Sequence, residues 1–166
     1  GGLWERCGGS GLRRPHPRCV GAGGGHRWRS CGGMSLARLE TLKADGDLEV
    51  KAGSYSKAID LYTQAIDLLP EVGDSTRAWP LFGNRALCYF KLFKYEEAKS
   101  DAEQAISNNS AYAKGYYRLA SCQLQLKDLA GAWESITKAV SLDPDDPSIR
   151  ALEEKVEKLE RGELTS

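Results

Sequence analysis

This sequence predicts an all-α fold: a right-handed helical solenoid of three helix-turn-helix repeats, closed by a C-terminal capping helix. Three observations carry that expectation. The segments Leu39–Pro70, Trp79–Ser110 and Ala113–Pro144 each pair two helical patterns. An alanine recurs near the start of each second helix, at Ala58, Ala98 and Ala132, and another follows seven residues later, at Ala65, Ala105 and Ala139. Both series step by 40 and then by 34 residues. A period of about 34 with two helices per unit marks a helical repeat array.

The first unit reads as helix A with Leu39, Leu42 and Gly46 on its inner stripe, a break at Gly53-Ser54, and helix B with Ala58, Ile59, Tyr62, Ala65 and Ile66. Their spacings of three and four place them on one helical face. Pro70 ends the unit, because proline cannot continue a helix. The second unit carries Phe82, Ala86 and Tyr89 on helix A, then Ala98, Ala102, Ala105 and Ile106 on helix B. The third carries Tyr116, Leu119, Ala120 and Gln123, then Ile136, Ala139 and Val140, and stops at Pro144. Gly46, Ala86 and Ala120 occupy equivalent places, where small side chains let two helix axes approach to about 8–10 Å. The six extra residues between units one and two fall in 71–76 and lengthen a turn or add helical turns there. Beyond Pro144, Asp145-Asp-Pro-Ser148 starts a helix whose Ile149, Leu152, Val156 and Leu159 form an apolar face. That face suits a cap over the last unit. Domain boundaries follow: a leader over 1–37, repeats over 38–146, a cap over 147–162 and a tail over 163–166.

The 166 residues balance to zero formal charge, but residues 1–33 hold six Arg and one acidic side chain, so the remainder carries −5. A mildly acidic repeat region argues against nucleic acid as partner. No apolar run of about 18 residues is present, so no membrane span is expected. The leader has 11 Gly in 33 residues and no periodicity, a composition expected to be disordered. Met34, the only Met, immediately precedes the repeats. It reads as a natural start, with an Arg/Gly tail able to bind RNA as the alternative. Cys7, His16, Cys19, His26 and Cys31 lack a C-x2-C pair, so no metal is assigned to them. Cys88 and Cys122 lie on apolar helical stretches and read as small core residues. Five thiols without a paired pattern fit a reducing, cytoplasmic setting. No phosphate loop, catalytic carboxylate pair or nucleophile elbow is present, so neither an enzyme nor a cofactor is expected.

The alanine ladder, the small residue at the eighth position of each unit and the prolines Pro70 and Pro144 resemble the tetratricopeptide repeats, over residues 38–161. Ser110 departs from the proline pattern, and Ala102 replaces a larger residue. The resemblance implies a cradle whose concave face is made by the A helices.

On those A helices, Lys43 and Asp47 lie four apart, Asn84 stands on the second, and Lys114 and Arg118 lie four apart on the third. Cations and an amide donor in one groove suit a carboxylate-bearing peptide. Read singly, each has an ordinary alternative: solvated helix charges for the lysines, a helix-end bond for Asn84, an ion pair with a neighbouring Asp for Arg118. Together, with Gly83-Asn-Arg-Ala86 and Ala113-Lys-Gly-Tyr-Tyr-Arg118, they resemble the dicarboxylate clamp of co-chaperone tetratricopeptide domains. That resemblance implies an adaptor for the Glu-Glu-Val-Asp tail of heat-shock chaperones of the seventy and ninety families. Lys43, Asn84, Lys114 and Arg118 match four of five clamp positions, while Asp47 stands where the family has Asn. An ionised Asp accepts hydrogen bonds but cannot donate them, so the clamp is expected to be weakened or altered in preference. A general scaffold that holds another protein segment is the alternative.

Overall fold

The computed structural model describes residues 29–163, and every regular element in that range is helical. Helices α1 (Arg29–Lys51) and α2 (Tyr55–Asp67) form the first pair, α4 (Ala78–Lys91) and α5 (Tyr95–Asn108) the second, α6 (Ala113–Gln125) and α7 (Leu129–Leu142) the third. Helix α8 (Pro147–Glu160) follows. Within each pair the two helices pack together, and each second helix packs on the next unit through α2 on α4, α5 on α6 and α7 on α8. The first helices also touch one another, α1 with α4 and α4 with α6. That row carries all five candidate binding residues.

The alanine ladder explains the close stacking. Ala58, Ala65, Ala98, Ala102, Ala105, Ala132 and Ala139 are all fully buried. A larger side chain there would hold neighbouring helices apart. The first core gathers Leu39, Tyr62, Leu81 and Cys88 around these alanines, and the last gathers Ala120, Ile136, Ile149 and Val156. Ile149 and Val156 come from α8, so this helix covers the apolar edge of the third unit as the sequence pattern requires. Its start is held by Asp146, whose side chain accepts from the Ser148 amide at 2.8 Å, with Pro147 in the first turn. This is an N-cap with proline where its missing N–H is not needed.

Two details differ from expectation. Helix α1 begins at Arg29, inside the leader assigned to 1–37. Helix extension is cooperative once a turn is anchored, and Leu39 is 1% exposed against α2. Residues 1–28, with the candidate zinc ligands Cys7, His16, Cys19 and His26, lie outside the described residues, as does the Cys31 side chain. Secondly, α2 ends before Pro70, which opens a four-residue helix α3 (Leu69–Val72) rather than closing the unit. The extra residues add α3 and a 3₁₀ turn at Ser75–Arg77. They are tied back to α1 by Ser35 donating to Glu71 and by Arg77, which bonds Glu40 and Asp74.

Each turn between paired helices places one residue in the left-handed region: Gly53 (φ 77°), Phe93 (φ 61°) and Lys127 (φ 63°). They stand seven residues after Gly46, Ala86 and Ala120. Only the first is the glycine that such a conformation favours.

Candidate functional site

The groove residues separate into two groups. On the α1 side, the Asp47 carboxylate is the hub. Lys43 donates to its Oδ2 at 2.9 Å, one turn away on the same helix. Tyr62 of α2 donates its hydroxyl to Oδ1 at 2.6 Å. Asn84 of α4 donates its side-chain amide to the same oxygen at 2.9 Å. Three helices therefore supply donors to one carboxylate. Burial alone would raise the Asp47 pKa, but the hydrogen bonds from Tyr62 and Lys43 outweigh it, with the Lys43 charge and Asn84 adding to them, and the carboxyl is held below its ordinary 3.8. Tyr62 shows the reciprocal effect: its burial and the Asp47 bond push the phenol well above its usual range.

This network predicts a pH signature. A depressed folded-state pKa means that the Asp47 contribution to stability is complete above the unfolded value and is lost as pH falls through the folded one. Asp47→Asn is expected to reduce the acid sensitivity of folding below about pH 4. Thermal melts of the two proteins from neutral pH into that range check it, and parallel curves would count against the network.

The α6 side is built differently. Arg118 donates from Nη1 to the Tyr112 hydroxyl, and its guanidinium carbon lies 5.8 Å from the Tyr112 ring centre. Trp79 of α4 packs on the other partner of this arrangement, its ring 4.7 Å from that of Tyr112. Both Arg118 and the Tyr112 hydroxyl press on the backbone of Gly83, where a Cβ would come within 2.9 Å of each. Lys114 is exposed, and its charge helps to lower the Asp146 pKa. Among the described residues, neither Lys114 nor Arg118 has a carboxylate within ion-pair distance. Arg118 thus bonds a tyrosine rather than a neighbouring Asp, and Asn84 bonds Asp47 rather than a helix end.

Neither buried cysteine has the character of a nucleophile. Burial pushes the Cys88 thiol up to about 11 and the Cys122 thiol up to about 12, far from the lowered values that reactive cysteines need. Among the described residues no group of three His, Cys, Asp or Glu side chains is placed to hold a metal, and no helix is long and apolar enough to cross a membrane.

A tetratricopeptide repeat family model matches residues 89–156. A solved structure extends that likeness beyond these residues: the first tetratricopeptide domain of Spaghetti (RPAP3), bound to HSP90 peptide SRMEEVD, has a TM-score of 0.69 and 29% identity, over 75% of this chain and 94% of that one. Residues 89–156 belong to the tetratricopeptide repeat family. The repeat domain is similar to a second solved structure, the second such domain of human RPAP3 in complex with HSP70 peptide SGPTIEEVD, with a TM-score of 0.65 and 28% identity over 76% of this chain and 98% of that one. In sequence it is 35% identical over 117 residues to heat shock protein STI1 of Saccharomyces cerevisiae, which covers 70% of this chain and 19% of that protein. The chain therefore spans about a fifth of that relative's length.

The sequence pattern did not find Tyr62 and Tyr112 as parts of the groove. The place of Tyr62 on the α2 stripe marks it as core, which it is, with 0% exposure. Its hydroxyl still reaches the site. A buried tyrosine needs a hydrogen-bond partner, and that requirement was the available signal.

Proposed function

We propose that this domain is a non-catalytic, cytoplasmic adaptor that holds the acidic C-terminal peptide of a heat-shock chaperone in its groove, as a co-chaperone. The observation that supports this most directly is the α6 edge. There Lys114 and Arg118 stand four apart on α6 and, among the described residues, neither has a carboxylate within ion-pair distance, while Arg118 lies against Gly83, the neighbour of Asn84 in α4. An Arg fork and a nearby ammonium form charge-assisted bonds to carboxylates. The two peptides held by the similar RPAP3 domains both end in Glu-Glu-Val-Asp, so an acidic C-terminal segment is the ligand this reading selects. The raised thiol pKa values support an inert scaffold, and the buried free thiols fit a reducing compartment.

Titration of a fluorescent peptide ending in Glu-Glu-Val-Asp tests the proposal against a peptide whose carboxyls are all converted to amides. The acidic peptide should bind and the neutral one should not. Arg118→Ala should weaken binding by about tenfold or more, since a hydrogen bond to a charged group contributes about 1.5–3 kcal/mol. Equal affinity for the two peptides would favour the general scaffold.

A further inference from the structure

We infer that the groove already contains one carboxylate of its own, that of Asp47, and therefore reads a single carboxylate of its ligand, through Lys114 and Arg118. This rests on the acidic-peptide reading above and deepens it.

The geometry on the α1 side is that of an occupied carboxylate site. A carboxylate has about four lone-pair positions, and Asp47 fills three of them with Tyr62, Asn84 and Lys43. The Lys43–Asp47 pair is neutral as a unit. A ligand carboxylate drawn to Lys43 meets the Asp47 charge at the same place, and the two effects oppose each other. Asp47 is also not free to swing aside. Tyr62 is fully buried, and Asp47 is the one acceptor its hydroxyl has among the described residues. Moving the carboxylate would leave that buried hydroxyl unsatisfied, which is costly. The α6 side has the opposite character: among the described residues, neither of its two cations has a carboxylate within ion-pair distance. The ligand class that fits is a peptide offering one well-placed carboxylate, whether a side chain or a free terminus, with no requirement for both.

The test uses the full chain and two peptides ending in Glu-Glu-Val-Asp, one with a free C-terminus and one amidated. The natural groove should bind them within about twofold of each other. Asp47→Asn keeps an acceptor for Tyr62 and removes the charge. It should bind the free-acid peptide about fivefold more tightly than the natural protein, and lose about as much again on amidation. Asp47→Ala, with its fold verified by circular dichroism, should show the same gain for the free acid. If the natural protein loses as much on amidation as Asp47→Asn does, or if Asp47→Asn and Asp47→Ala both bind no more tightly, the inference is overturned while the adaptor reading stands. If neither the natural protein nor Asp47→Asn distinguishes acidic peptide from its fully amidated counterpart, the adaptor reading falls as well.

Discussion

Asp101→Ala is expected to lower the stability of the domain by about 3 kcal/mol, the largest single loss foreseen for a polar substitution here. Arg85 of α4 donates from Nε and Nη2 to the two oxygens of Asp101 on α5, both at 2.7 Å, and from Nη1 to Thr63 of α2 at 2.9 Å. One guanidinium thus fastens the first repeat to both helices of the second. The side chains are 15% and 7% exposed, and the Phe82 and Tyr89 rings lie 5.5 and 5.8 Å from the guanidinium carbon. Water has little access to replace a lost partner. Removing Asp101 leaves the Arg85 charge buried against aromatic rings, and an uncompensated buried charge costs far more than an exposed one. By contrast, the exposed pair Lys158–Glu154 on α8 belongs to a class that contributes about 1 kcal/mol or less. Urea unfolding monitored by circular dichroism checks the difference. The paired replacement Arg85→Met with Asp101→Leu should recover much of the loss, because neither partner is then left charged and alone. A loss below about 1 kcal/mol for Asp101→Ala would mean that solvent reaches the pair after all.

The alanine ladder was legible because it records an absence. Where helices must approach closely, the side chain is small, and that constraint recurs at a fixed period whatever else changes. The capping helix was legible for a related reason: Ile149 and Val156 are spaced for one face and have nothing else to cover. Within the site, Lys43 and Asp47 could be paired from their i,i+4 spacing alone, and the pair forms. Links between helices were harder. That Tyr62 reaches Asp47, and that Asn84 gives its amide to the same oxygen, depends on where α1, α2 and α4 cross, and no local periodicity encodes that crossing. Asp101 leaves a trace in the sequence: it stands three residues after Ala98 on the buried stripe of α5, where a charge demands a partner. Phe93 and Lys127 left none, because neither side chain signals a left-handed turn. Their equivalence to Gly53 emerges only from the backbone.

Gly46→Ala should cost about 2 kcal/mol, although alanine favours a helix over glycine by about 1 kcal/mol in isolation. The reason is the packing between the first two helices. A Cβ on Gly46 would sit 2.7 Å from Cε1 and 2.9 Å from Cζ of Tyr62, closer than carbon atoms pack without repulsion. An exposed ring would turn away. This one is fully buried and has its hydroxyl held by Asp47 at 2.6 Å, so relief requires α1 and α2 to separate or the hydroxyl bond to break. The substitution therefore acts on stability and on the groove together. If the ring moves, Asp47 loses one donor, and its hold on Lys43 and Asn84 changes. Two measurements separate these routes. Chemical unfolding gives the stability loss. Titration of the acidic peptide shows whether the groove changed with it. Combining Gly46→Ala with Tyr62→Leu removes the obstructing ring atoms, so the cost of the alanine should shrink in that background and approach its intrinsic helical benefit. An unchanged cost there would place the strain elsewhere in α1 and break the proposed link between the glycine, the buried ring and the carboxylate of the groove.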